Sequence, residues 1–112
     1  MPRITKKTTA RADIDRMVKR IVAKFRPQQV ILFGSHARGD AGPDSDVDLL
    51  VVMDFEGTAR DKGLEILQTL RDILVPLDVI VTCPEDFAWR KDVVGTIEWP
   101  ATREGQVLYA RS

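Results

Sequence analysis

The sequence predicts a mixed α/β (α+β) domain, with helices packed on a small mixed sheet in the order α-β-β-α-β-α-β. Three observations predict it. Apolar residues recur at spacings of three and four along Ile14, Met17, Val18, Ile21, Val22 and Phe25, which draws one stripe down a helix. Three short runs rich in β-branched and apolar residues, Val30 to Phe33, Asp46 to Met53 and Leu77 to Val81, have the length and composition of buried strands. The chain has 112 residues, about one ordinary domain, and folding buries roughly two thirds of the surface such a chain exposes when unfolded.

Taken in order, residues 1–9 read as a loose arm. Thr8 or Thr9 is placed to cap the first helix, and Pro27 stops it. The first strand ends at Gly34, and a polar stretch with glycines at 34, 39 and 42 leads to the second. Thr58 and Asp61 have capping-box spacing, with Asp in place of the usual Glu. Leu64, Leu67, Leu70 and Leu74 then mark a helix despite Gly63, and Pro76 ends it ahead of the third strand. Pro84 stands where a first helical residue would, after Thr82 or Cys83 as cap. Residues 85–104 read as helical with a break near Pro100, Gly105 as a helix end, and Val107 to Tyr109 as a last short strand.

Composition narrows the class. Lys plus Arg and Asp plus Glu number 17 each, for a net charge of zero, so the basic excess of a free-standing nucleic-acid binder is missing. The apolar share of 44% and the charged share of 30% fit a soluble globular chain rather than a disordered one. With Cys83 as the one cysteine no internal disulfide forms. The longest apolar run, Leu49 to Met53, is far short of the roughly 20 residues of a membrane helix. No apolar stretch follows the basic first residues as a signal peptide requires. The expectation is a cytoplasmic domain without a membrane partner.

The chemistry concentrates in Gly34-Ser35-His36-Ala37-Arg38-Gly39 and Asp46-Val47-Asp48. Strand side chains alternate, so Asp46 and Asp48 share a face while Val47 points to the core. Two carboxylates at the mouth of an apolar strand repel each other, and a Mg²⁺ ion between them, with room left for phosphates, resolves the repulsion. The second and third strands are joined through a helix, which makes them parallel neighbours beginning at the same sheet end. Asp78, second in its strand, then lies beside Asp46 and Asp48. Three such carboxylates can hold the two Mg²⁺ ions of an in-line phosphoryl displacement. If the first two strands are antiparallel neighbours, Gly34-Ser35 faces the carboxylates. There the glycine lets backbone amides approach a phosphate, Ser35 adds a hydroxyl donor, and Arg38 reaches the same anion.

Gly34-Ser35, ten residues, then Asp46-x-Asp48 resembles the signature of the DNA polymerase β-type nucleotidyltransferases. The similarity is greatest to the minimal nucleotidyltransferases, the MNT half of HEPN/MNT toxin–antitoxin pairs. It extends over the leading helix, Gly34 to Met53, Asp78 on its strand, and the ending Glu104-Gly105-Gln106-Val107-Leu108-Tyr109. The resemblance implies a nucleotidyltransferase fold, with 10–112 as a single minimal nucleotidyltransferase domain. It implies an enzyme that uses Mg²⁺ and ATP, transfers AMP to an acceptor hydroxyl and releases pyrophosphate. Carried over by residue, Asp46 and Asp48 would bridge the metals and the triphosphate. Asp78 would complete the catalytic metal site and help deprotonate the acceptor. Ser35 and the Gly34 amide would hold the triphosphate tail, with Arg38 as counter-charge. The resemblance gives His36 no role. The implied partner is a HEPN-type toxin modified on a tyrosine, with the chain acting as antitoxin. The length also leaves no separate acceptor domain, so the acceptor would be bound by this domain or be the partner itself.

Other readings stay open from the residues. Asp44-Ser45-Asp46 is ordinary turn composition, an acid often opens a strand, and Arg38 and His36 are common loop residues. Cys83 has no partner pattern of a nucleophile, and Trp89 and Trp99 are more usual as core or interface than as base-stacking platforms. The chain could neutralise a partner by occlusion, without chemistry. A phosphoacceptor receiver domain would need a lysine on a late strand and leaves Gly34-Ser35 unexplained. A small-molecule acceptor would need additional structure. The apolar residues Trp89, Val93, Val94, Ile97 and Trp99 leave a homo-oligomer open.

Overall fold

The computed structural model describes residues 6–42 and 44–111. Helix α1 (Lys6–Phe25) leads into strand β1 (Gln29–Phe33), the short helix α2 (Ser35–Arg38) and strand β2 (Val47–Val52). Helix α3 (Ala59–Thr69), strand β3 (Leu77–Thr82), helices α4 (Pro84–Arg90) and α5 (Glu98–Glu104), and strand β4 (Gln106–Ala110) follow. The sheet has four strands in the order β3-β2-β1-β4. β1 is antiparallel to both β2 and β4, and β2 is parallel to β3 across the α3 crossover.

Alternation along the strands divides the core into two layers. On one face, Val30, Leu32, Val47, Leu49, Val51, Val79 and Val81 pack with Ile14, Met17, Val18 and Ile21 of α1 and with Ile66 of α3. On the other, Ile31, Phe33, Leu50 and Val52 pack with Phe87 of α4 and Ala101 of α5. β1 and β2 are therefore apolar on both sides, as a central strand covered by helices must be. Burial of each Leu- or Ile-sized side chain contributes about 1.5–3 kcal/mol.

The stripe read along α1 is the buried one, with Val22 and Phe25 partly buried at its end. The helix starts at Lys6. Residues 6–9 thus belong to it rather than to an arm, and Thr8 and Thr9 lie inside it. Residues 1–5 lie outside the described residues. Arg20 binds the Thr69 carbonyl at 3.0 Å and pairs with Asp72, which ties α1 to the end of α3.

Two elements differ from the sequence reading. α3 ends at Thr69, and its buried face is Gly63, Ile66 and the capping Leu70, whereas Leu64 is 49% and Leu74 92% exposed. The Pro76 carbonyl accepts from the Val47 amide, and Val75 before the proline disfavours helix, so the chain leaves the helix early to enter the sheet. The second difference is the break between α4 and α5. It spans residues 91–97, with Gly95 at φ 102°, and Pro100 sits in the first turn of α5. A proline is tolerated there because its missing N–H would have no intrahelical partner. Glu98 at the start of α5 is buried; it accepts from Thr82 Oγ1 at 2.8 Å and faces Arg90 at 3.8 Å. This fastens α5 to the end of β3.

Pro84 opens α4 after Cys83, and Thr58 caps α3 by accepting from the Asp61 amide at 3.0 Å. Thr58→Ala is expected to lower stability by about 1 kcal/mol. Urea unfolding reads this loss, and transfer activity should not change. No helix among the described residues is long and apolar enough to cross a membrane.

Candidate active site

The site is built where four chain ends meet. β1 finishes at the sheet edge from which β2, β3 and β4 begin, because β1 is antiparallel to β2 and β4 and β2 is parallel to β3. Phe33 is opposite Asp48, and Asp48 is opposite Asp78. By strand alternation Asp48 and Asp78 share the sheet face of Leu50 and Ile80. Asp46 lies one residue before β2 and is exposed, as is Asp78, while Asp48 is half-buried.

The chain turns sharply after β1. Gly34 has φ 75° and ψ −157°, a region that only glycine occupies without strain. A Cβ at Gly34 would collide with the Asp48 carboxylate, approaching its Cγ to 3.2 Å. The missing side chain thus lets the carboxylate lie directly against the turn. The Gly34 carbonyl accepts from the amides of Ala37 and Arg38 at 3.1 Å each, closing α2 with Ser35 at its first position. His36 Nε2 donates to the Ser45 carbonyl at 3.2 Å, and Gly42 N–H donates to Ser45 Oγ at 2.8 Å. These bonds hold the approach to Asp46 against α2. His36 therefore has a structural task that its position in a polar loop did not suggest.

Burial and neighbouring charge act together on Asp48. Burial pushes the Asp48 carboxyl above the ordinary carboxylate range, and the charges of Asp78 and then Asp46 push it further. His36 and Arg38 act in the opposite sense. Asp48 thus feels the charge of both Asp78 and Asp46. Among the described residues no group of three or more His, Cys, Asp or Glu side chains is arranged to hold a metal ion. The donor set is nevertheless all hard oxygen at a point of mutual repulsion, which suits Mg²⁺. Arg38 is exposed and pairs with Asp40 at 3.3 Å and with Glu104 at 3.5 Å. The link to Glu104 and a second one from Gln106 to Ala37 were not read from the sequence, although both residues fall in the ending that carried the resemblance.

A glycine-pinned turn set against acidic strand starts, on a mixed sheet with helices on both faces, is the nucleotidyltransferase fold that the sequence resemblance implies. Residues 14–99 match the family described as the nucleotidyltransferase domain. The chain belongs to that family and is a nucleotidyltransferase. A Methanocaldococcus jannaschii protein named "Putative protein adenylyltransferase MJ0604" is 32% identical over 99 residues, covering 86% of this chain and 94% of that protein. A second from the same organism, "Putative protein adenylyltransferase MJ0141", is 44% identical over 41 residues, 37% of this chain and 41% of that one.

Two crystal structures share the fold. One, a "putative nucleotidyltransferase" from Sulfolobus solfataricus, has a TM-score of 0.64 at 23% identity, covering 99% of this chain and 93% of that one. The other, a toxin–antitoxin complex with AMP-PNP, has a TM-score of 0.62 at 16% identity, covering 88% and 74%.

Proposed function

We propose that the protein transfers AMP from ATP, with Mg²⁺, to a hydroxyl of a partner protein, a tyrosine of a cognate HEPN-type toxin, and acts thereby as an antitoxin. The observation that carries this reading is the meeting of Asp48, Asp78 and the Gly34-Ser35 turn at one sheet end. The relative named as a protein adenylyltransferase supports a protein acceptor. The toxin–antitoxin neighbour, with its adenine nucleotide analogue, supports both the nucleotide and the partner.

The roles are those that the family resemblance implies. Ser35 and the Gly34 amide hold the triphosphate tail, with Arg38 released from Asp40 and Glu104 to pair with it. Asp46 and Asp48 would hold the metal, and Asp78 would complete the set. Mg²⁺ offsets the carboxylate charge and stabilises charge on the phosphates when bound. The acceptor oxygen attacks the α-phosphorus. The new O–P bond forms as the bond to the bridging oxygen breaks, pyrophosphate leaves, and Asp78 takes the acceptor proton.

Incubation of the pair with α-labelled ATP and Mg²⁺ is expected to put label on the toxin, at tyrosine. A toxin that stays unlabelled while the protein binds ATP would count against a protein acceptor. If Asp46→Asn/Asp48→Asn folds, transfers nothing and still protects cells fully, occlusion rather than chemistry accounts for antitoxin action.

A further inference from the structure

We infer that the segment Glu104-Gly105-Gln106 braces the Ser35–Arg38 turn in its nucleotide-holding position, with Gln106 as a positioning residue. The inference rests on the reading that this turn holds the triphosphate. Three consecutive residues make three separate contacts. Gly105 is pressed onto β1: a Cβ there would overlap the Ala101 carbonyl, and would come within 2.8 Å of the Leu32 carbonyl and 2.9 Å of Ile31 Cγ2. The close approach fixes the height of the segment over β1. Gln106 stands opposite Leu32 in the β1–β4 ladder, two residues from the Gly34 turn. Its side-chain Nε2 donates to the Ala37 carbonyl at 3.0 Å, across 69 residues of sequence.

That carbonyl finds no partner within α2 and takes the Gln106 amide instead. α2 has four residues, too few for its last carbonyls to find partners within the helix. Gln106 therefore caps α2 from a different element and joins its far end to the sheet. Glu104, on the other side of Gly105, reaches the Arg38 guanidinium at 3.5 Å and shares it with Asp40. Both pairs are exposed and contribute little to stability; what they supply is aim, keeping the guanidinium beside the turn until a triphosphate with its greater charge displaces them. The turn is thus held at its start by Gly34 against Asp48 and at its end by Gln106. A turn free at one end would bind the triphosphate less tightly, without changing the carboxylates that act at the α-phosphorus.

The test is Gln106→Met, which keeps length and removes the donor. Affinity for ATP with Mg²⁺, by calorimetry, is expected to weaken about fivefold, the loss of one exposed hydrogen bond. The KM for ATP should rise in parallel while kcat stays within about twofold, because an interaction made equally in ground and transition states is removed. Melting should shift by no more than about 3 °C, as for a surface change. Val107→Ser, the next residue of the same strand, should leave affinity and KM as they are. Ser35→Ala serves as the reference for the site itself. If Ser35→Ala weakens ATP binding and Gln106→Met does not, the brace is wrong and the site reading stands. A fall in kcat at constant KM would overturn the brace as well. Absence of ATP binding by the unsubstituted protein would overturn both.

Discussion

Asp48→Asn is expected to stop nucleotidyl transfer while leaving the metal-free fold at least as stable as before. A metal ion contributes several kcal/mol of charge stabilisation to a phosphoryl displacement. Losing the central carboxylate should therefore lower the transfer rate by about a thousandfold or more, roughly 4 kcal/mol. The stability effect has the opposite sign. Burial, Asp78 and Asp46 all raise the proton affinity of Asp48 in the fold. A carboxyl whose folded value lies above its unfolded value favours the fold fully only below the unfolded value, and that support is lost as pH rises through the folded one. At neutral pH the ionised Asp48 thus works against the metal-free fold, and Asn removes the burden. In EDTA, the melting advantage of Asp48→Asn should be largest near neutral pH and vanish on acidification below the ordinary carboxylate range. Excess Mg²⁺ should raise the melting temperature of the unsubstituted protein and leave the variant unmoved. A variant that transfers at the normal rate would remove Asp48 from the chemistry. One that melts lower than the parent at every pH would refute the electrostatic account.

Gly34→Ala should lose both stability and activity. The backbone at φ 75° and ψ −157° costs a residue with a Cβ about 1–3 kcal/mol. The added methyl also displaces the Asp48 carboxylate. Misplacement by about 1 Å in a transfer site costs on the order of a hundredfold in rate. Gly57→Ala separates the two causes. Gly57 has φ 80° and open space around its Cα, and it lies between β2 and α3, past the end of β2 opposite Asp48. It should lose about 1–2 kcal/mol from strain alone and keep full transfer activity. Urea unfolding and label transfer on the two variants decide it. Equal activity in both would mean that the contact between Gly34 and Asp48 has no catalytic consequence.

Local signals were legible wherever spacing alone carries them. The α1 stripe, the strand runs, the Thr58 cap and the Gly34-Ser35…Asp46-x-Asp48 pattern each lie within one short window of sequence. The parallel pairing of β2 and β3 also followed, since a helical crossover permits little else, and with it the placing of Asp78 at the same sheet end as Asp46 and Asp48, whereas the register of Asp48 on Asp78 came from the structure. α3 was harder to read. Leu64 has the spacing of a core face yet is half-exposed, because Gly63 rather than a leucine takes the position closest to β3, where a Cβ would come within 3.2 Å of the Val79 carbonyl, and Leu74 lies beyond the helix end at Thr69. Apolarity does not reveal a site where backbone must approach backbone. The break between α4 and α5 lies at residues 91–97 rather than near Pro100, which stands in the first turn of α5, where a proline is tolerated.

The sequence by itself determined the class of the domain and the residue types of its site, because strand and helix periodicity and the acid spacing are properties of neighbours along the chain. Only the tertiary structure decided how the turn is held. The Asp48 carboxylate lies against Gly34, His36 bonds to Ser45, and Gln106 bonds to an Ala37 carbonyl 69 positions away. Such contacts depend on where the antiparallel ladders bring distant strand ends together, and no local pattern in the sequence encodes that distance.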